Sequence, residues 1–119
     1  HTATALVAYD DRWRPVARWR FPPAVLARFA PRSTSGGGWG DDGLIYVTGH
    51  DRPEVYALAL PQAGEELRHV ATLPIAAEGQ AIAWDRDAPR HLYGILRKTG
   101  EIVVTRVPRV LRTAEGGCH

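Results

Sequence analysis

The chain of 119 residues contains no methionine, one cysteine, Cys118, and one lysine, Lys98. A single cysteine excludes an internal disulfide, and no spaced set of cysteine and histidine predicts a zinc site. No apolar run approaches 18 residues, which excludes a predicted membrane-spanning helix. The formal net charge is only +2, so no strong field would steer nucleic acid toward the chain. We therefore expect neither a membrane nor a nucleic acid as partner.

Local motifs of nucleophilic catalysis and phosphate binding are also missing. The sequence has no Gly-x-Ser-x-Gly elbow, no P-loop and no dinucleotide fingerprint followed by a helix. The glycines at 36–38 precede a strand pattern, so no helix N-terminus follows them to bind phosphate. The sequence accordingly predicts no cofactor and identifies no catalytic residue.

A repeat is the most informative feature that is present. Trp39 and Trp84 are 45 positions apart, and each is followed by an Asp-rich turn and an apolar strand pattern. Those strand patterns contain Tyr46 and Tyr93, which are 47 positions apart. A period of about 40–50 residues that carries several short strands is typical of β-propeller blades. The predicted fold class is therefore all-β, with antiparallel four-stranded sheets.

The strand patterns and turn residues divide the chain into about two and a half blades. Apolar stretches that alternate with Gly, Pro and Asp clusters mark the strands and their turns. The strands around Tyr46 and Tyr56 are apolar on both faces, which is typical of strands that are covered on both sides. We predict the outer strands of an incomplete blade in 1–21, a loop with one or two helical turns in 22–36, a complete blade in 37–75, most of a further blade in 76–108 and a tail in 109–119.

Two and a half blades do not close a ring, because propellers typically need four or more. The sequence begins with His1, and we expect a segment of a longer propeller with six to eight blades. The alternative is a ring assembled from several copies of the chain. In either case, the expected partners are the remaining blades of a parent chain or further copies of this one.

Two stretches carry a resemblance to a known type of protein. Residues 36–51, GGGWGDDGLIYVTGHD, and residues 78–85, EGQAIAWD, with the later LYGI at 92–95, resemble blades of bacterial propellers of the lactonase and quinoprotein-like type. The resemblance spans roughly 36–107. It implies the propeller fold, and it implies a lactonase or cycloisomerase activity as one possibility, since relatives of this type include enzymes, binding proteins and scaffolds. It also slightly favours a periplasmic or secreted location.

The candidate ligand-binding residues are those predicted to lie in loops at the funnel of the propeller. Glu78 and Gln80 precede an innermost strand, and His50 and Asp51 lie in the loop between the second and third strands. Convergent polar groups at such a funnel would bind a sugar, an organic acid or a cation. The alternative is that these residues only stabilise turns by bonding to nearby backbone groups.

Two further sets of residues have both a functional and a structural interpretation. The acidic pairs 41–42 and 85–87 occupy equivalent places in the repeat, where they would either hold Ca²⁺ or cap a hairpin. We favour the cap and predict no metal. Trp39 and Trp84 recur in phase with the repeat, which favours packing between blades. Trp13 and Trp19 are predicted to share one face of an outer strand.

Two functions from different classes remain open. The first is a non-catalytic propeller segment that serves as a scaffold or as a binding module for a ligand or a protein. The second is part of a lactonase- or cycloisomerase-like enzyme that acts on a small organic acid or lactone. An enzyme would require Glu78, Gln80 and His50 to converge at one mouth of the ring.

Overall fold

The computed structural model describes residues 4–30, 34–77, 81–96 and 98–110. These residues are mainly β-structure and form three antiparallel sheets, as the repeat predicts. In chain order the elements are β1 (Ala5–Tyr9), β2 (Pro15–Arg20), α1 (Pro23–Phe29), β3 (Gly36–Trp39), β4 (Ile45–Thr48), β5 (Glu54–Ala59), β6 (Arg68–Pro74), β7 (Ala83–Trp84), β8 (His91–Leu96) and β9 (Glu101–Arg106).

The central sheet consists of four strands in the order β3-β4-β5-β6, each antiparallel to the next. This confirms the four-stranded sheet predicted for 37–75. The turn between β3 and β4 contains Gly43 with a φ of +79°, a conformation that glycine adopts at little cost. The sequential order of neighbouring strands follows from the short turns at 40–44, 49–53 and 60–67.

Smaller sheets lie on either side of the central one. The C-terminal sheet has the order β7-β8-β9, and the N-terminal hairpin pairs β1 with β2. One prediction for the hairpin is wrong: Trp13 does not share a strand face with Trp19. Trp13 lies in the turn before β2, with a φ of +62° and an indole that is 82% exposed. The turn reverses through Asp10, whose side chain accepts hydrogen bonds from the backbone N–H groups of Arg12 and Arg14.

The helix α1 lies within the segment 22–36, where the sequence predicts helical turns. It begins at Pro23, whose fixed φ suits the first helical position. Val25 and Phe29 are buried on its inner side. Phe29 packs edge-on against Tyr56, with ring centroids 5.3 Å apart. Arg28 fixes the outer side through two hydrogen bonds of 2.9 Å to the Glu54 carboxylate.

The central sheet is covered on both faces, as its apolar strands predict. Residues 45–48 and 55–59 are all buried. One face packs on α1 and the N-terminal hairpin through Ile45, Val47, Tyr56 and Leu58. The other face packs on the C-terminal sheet through Leu44, Tyr46, Val55 and Ala57, which meet Leu92 and Val107.

The first strands of the two repeats lie next to each other. β3 and β7 are in contact, and a Cβ added at Gly38 would lie 3.4 Å from Cδ1 of Trp84. The Trp84 indole therefore lies beside Gly38, at a distance that would leave a Cβ there in ordinary van der Waals contact. The described strands form open sheets that do not close on themselves. Among the described residues, no helix is both long and apolar enough for a membrane span.

Candidate functional site

A cleft of about 280 Å³ opens between the ends of β3 and β7. It is formed by the two turns that follow these strands. Indole, carboxylate and guanidinium groups meet there, contributed by Trp39, Asp41, Trp84, Asp85, Arg86 and Arg90. The cleft therefore combines aromatic surface with charges of both signs, and its chemistry depends on which of those charges already have partners.

Arg90 is the centre of this arrangement and is buried, with 7% of its surface exposed. Its Nη2 donates to the hydroxyl of Tyr46 at 2.8 Å and to the backbone oxygen of Pro108 at 3.0 Å. Its Nη1 lies 3.3 Å from carboxylate oxygens of both Asp41 and Asp42. Its Nε donates to the backbone oxygen of Val107 at 3.2 Å. The guanidinium thereby connects the turn after β3 with the C-terminal sheet.

The rings beneath Arg90 complete its environment. Its guanidinium carbon lies 4.8 Å from the Trp84 ring centroid and 5.1 Å from that of Tyr46. The two rings pack edge to face, with centroids 5.0 Å apart. Cations over aromatic faces are stabilised by the ring quadrupole, more strongly where water is excluded. Arg90 is thus held by charge, hydrogen bonds and aromatic contact together.

The acidic residues of the first turn have partners within the protein. Arg109 donates to both oxygens of Asp41, at 2.8 and 2.6 Å. This bidentate contact, with a further contribution from Arg90, lowers the pKa of Asp41. Asp42 accepts from the Tyr46 hydroxyl at 2.6 Å and from the Leu44 backbone N–H at 3.2 Å. Asp42 therefore stabilises the turn, and both carboxylates stabilise the contact between the sheets through Arg90.

The same kind of contact between aspartate and tyrosine occurs in the second repeat. Asp85 accepts from the hydroxyl of Tyr93 and from the backbone N–H groups of Asp87 and Ala88, at 2.8 and 2.9 Å for the latter two. These bonds, led by that from Tyr93, lower the pKa of Asp85 to about 2. One aspartate of each acidic pair, Asp42 and Asp85, thus bonds to the backbone of its own turn, as predicted for a cap. Within the described part of the chain, no three acidic, histidine or cysteine residues are grouped as a metal site.

Arg90 and Gly43 occupy the same position of the repeat. Ile45 pairs with Trp39 across β3 and β4, and Leu92 pairs with Trp84 across β7 and β8. Gly43 lies two residues before Ile45, and Arg90 lies two residues before Leu92. Both have left-handed backbones, with φ values of +79° and +65°. The second repeat thus carries a buried arginine where the first carries glycine, in a conformation that is unfavourable for a residue with a side chain.

The two tryptophans of the repeat end their strands in the same way but differ in burial. Trp84 packs on Tyr46 of the adjacent sheet. Trp39 is instead 51% exposed. It lies beside the N-terminal hairpin, in a groove that Tyr9 and Leu60 also line. The hairpin joins the rest of the fold near the start of β6, through an isolated backbone β-bridge between Arg20 and Glu66.

Two of the predicted ligand-binding residues, His50 and Asp51, lie away from the cleft. His50 and Asp51 follow β4, whereas the cleft is formed by residues that precede it, so the two regions are at opposite ends of that strand. Nδ1 of His50 lies 2.6 Å from Oδ1 of Asp51. Glu78 and Gln80 lie outside the described residues. The ligand-binding role of these residues remains a prediction.

Sequence reasoning did not identify Arg90 or Arg109 as members of a site. The repeat contained one usable signal, since aligning Tyr46 with Tyr93 places Arg90 opposite Gly43. An arginine at a turn position that suits glycine indicates that its side chain compensates for the backbone cost. Comparison of the chain with family models, with curated proteins and with solved structures finds no match.

Proposed function

We propose that the protein is a β-propeller scaffold segment and that its central and C-terminal sheets are successive blades. The observation that carries this proposal is the contact between β3 and β7, the first strands of the two repeats. In a propeller the first strand of each blade lies nearest the axis, where neighbouring blades converge. The connection from β6 to β7 crosses from the last strand of one sheet to the first strand of the next.

The two sheets also use equivalent faces. Ile45 of the central sheet faces the preceding elements, α1 and the hairpin. Its counterpart Leu92 faces the preceding central sheet. A constant orientation of this kind is expected of blades that follow one another around an axis, because each is related to the next by the same rotation.

A scaffold role agrees with how the charges of the cleft are used. Asp41, Asp42 and Arg90 bind one another, Tyr46, Arg109 and nearby backbone groups. Their hydrogen bonds join two sheets, and the burial of Arg90 limits its access to a ligand. The cleft therefore supports the packing of blades more strongly than it supports acid–base or nucleophilic chemistry.

Ligand binding in this proposal belongs to the loops at the other end of the strands. The loop with His50 and Asp51 lies there, and the connection that contains Glu78 and Gln80 leads into β7. We propose that a small polar molecule binds at this end, and that further blades, from a longer chain or from other copies, complete the site.

The test measures turnover of candidate substrates. A panel of lactones and small organic acids is offered to the purified chain and to a variant with His50→Ala and Asp51→Ala. The proposal expects no lactone hydrolysis above the buffer rate, with or without the substitutions. Saturable hydrolysis that is lost in the variant, while its thermal unfolding is unchanged, would contradict the scaffold proposal and establish the lactonase-like alternative.

A further inference from the structure

The C-terminal sheet has an apolar face that the described residues leave uncovered. We call it the outer face and define it by Tyr93 and Ile95 of β8 and Ile102 and Val104 of β9. These four side chains are 38%, 43%, 72% and 51% exposed. They lie on the same side of the sheet, because Tyr93 pairs with Val104 and Ile95 pairs with Ile102. An uncovered apolar face of this kind commonly marks an interaction surface.

The repeat shows what covers this face in the preceding sheet. In the central sheet the equivalent pairs are Tyr46 with Ala57 and Thr48 with Val55. All four of these residues are completely buried. Tyr46, Val55 and Ala57 belong to the core that the central sheet shares with the C-terminal sheet. The same register positions are thus covered by a following sheet in one repeat and are bare in the next.

The C-terminal sheet, which covers the central sheet, also shows which of its two faces packs against a preceding sheet. The C-terminal sheet uses the side that holds Leu92, Gly94 and Val103, opposite to the outer face. Gly94 is required there, because a Cβ would lie 2.7 Å from Cβ of Ala77. The central sheet therefore presents one face to the elements before it and the other face to the sheet after it, and the C-terminal sheet presents the corresponding first face to the sheet before it.

The N-terminal hairpin holds the complementary kind of face. Leu6 and Trp19 pair with each other and pack toward the central sheet. Alternation along the strands places Val7, Tyr9 and Val16 on the side that faces away from it. Tyr9 and Val16 are 53% and 62% exposed. This side, the hairpin face, occupies the position in which each later sheet contacts its predecessor.

We infer that the outer face of one molecule binds the hairpin face of a second copy of this chain. The inference rests on the propeller arrangement proposed above, and it identifies a second copy of the chain as the partner that extends this arrangement. The contact is head to tail, since two different surfaces meet, and it leaves one free face of each kind on a dimer. Such a contact generates a ring if the rotation closes and a chain if it does not.

The charges beside the two faces predict how salt acts on the association. Arg18 continues the hairpin face along β2, and Arg106 continues the outer face along β9. Both residues are exposed. Because they carry the same charge, added salt should strengthen the association by screening their repulsion.

The test is sedimentation velocity of the full chain over a wide range of concentration. The outer-face variant carries Ile102→Glu and Val104→Glu, and the hairpin-face variant carries Tyr9→Glu and Val16→Glu. The control, Ala24→Glu with Ala27→Glu, places the same two charges at exposed residues of α1, which belongs to neither face. We expect the natural chain and the control to associate as concentration rises. Each variant should lose on the order of a hundredfold or more in association constant, since a carboxylate would be buried without a partner.

Mixing the two variants distinguishes head-to-tail binding from a symmetric dimer. Each variant keeps one intact face, so an equimolar mixture should form dimers of one copy of each and nothing larger. A mixture that stays monomeric while the natural chain associates would overturn the inference.

A natural chain that is monomeric at all concentrations would also overturn it. If the Tyr46 and Trp84 rings are then still found in contact, only the docking inference fails and the proposed packing of the two sheets stands. If those rings are apart, the arrangement of blades fails with it.

Discussion

Replacing Arg90 is the most informative perturbation of the contact between the two sheets. Its guanidinium is buried, bonds to Asp41, Asp42 and Tyr46, and accounts for hydrogen bonds to two backbone carbonyls. Its backbone has a φ of +65°, a conformation that costs a residue with a side chain about 1–2 kcal/mol. The side-chain contacts and the backbone conformation therefore act on stability in opposite directions, and two substitutions can separate them.

The first substitution, Arg90→Ala, removes the side chain and keeps the backbone cost. Removing one partner of a buried ion pair typically costs about 3–5 kcal/mol. Asp41 retains its bidentate contact with Arg109, and Asp42 retains the Tyr46 hydroxyl. Because neither carboxylate is left without a partner, we expect a loss at the lower end, about 3 kcal/mol in the free energy of unfolding.

The second substitution, Arg90→Gly, removes the same contacts and also the backbone cost. Glycine adopts the left-handed conformation without strain, which raises the stability of the folded state. The greater conformational entropy of the unfolded glycine variant offsets part of this gain in stability. Arg90→Gly should therefore be about 1 kcal/mol more stable than Arg90→Ala. The matched control is Gly43→Ala at the equivalent position, where the added Cβ would meet no atom within 4 Å. It should cost about 1 kcal/mol from backbone strain alone.

Urea unfolding followed by far-ultraviolet circular dichroism measures these differences. Arg86→Ala, an exposed residue of the same turn, should change stability by no more than about 0.5 kcal/mol. The reasoning is refuted if Arg90→Ala costs as little as Arg86→Ala, or if Arg90→Gly is less stable than Arg90→Ala.

Three further predictions concern the core and its titration. Burial, followed by the bond to a carboxylate, raises the pKa of both Tyr46 and Tyr56 to about 12, compared with an ordinary value of about 10. The two neutral tyrosine hydroxyls therefore stabilise the folded state fully below about pH 10, and this contribution to the free energy of unfolding is lost as the pH rises toward about 12. Melting temperatures that stay constant across this window would contradict this prediction. Phe29→Ala should cost about 3–5 kcal/mol in urea unfolding, because the ring is fully buried under α1, and a loss below about 1 kcal/mol would show that the helix does not depend on it. Gly40→Ala should cost about 1–3 kcal/mol by overpacking, because its Cβ would lie 2.6 Å from Cε1 of Tyr46; a variant with unchanged stability would show that the turn can relax.

The strands were largely predictable from the sequence. Short apolar patterns bounded by Gly, Pro and Asp define their limits to within a few residues, and the repeat of Trp39 and Tyr46 at Trp84 and Tyr93 predicts equivalent pairings. The double burial of the central strands also followed from their composition. These features are local, so a single sequence contains them.

The candidate site was not predictable in the same way. Arg90 and Asp41 are 49 residues apart, and their contact depends on how two sheets pack rather than on any local pattern. Residue type alone also does not distinguish a buried arginine from an arginine at the surface. The exposure of Trp39 was missed for a similar reason, because the sequence gives its repeat position but not the elements that would cover it.

The contact between the first strands of the two repeats is tested most directly by nuclear Overhauser effects in the isotope-labelled chain. The structure predicts cross-peaks between the ring protons of Tyr46 and Trp84, whose centroids are 5.0 Å apart. It also predicts cross-peaks between the Gly38 α protons and the Trp84 indole, which lies against the β3 backbone. Assigned spectra that contain the strand pairings of each sheet but lack both sets of cross-peaks would contradict the packing of the two repeats as adjacent blades.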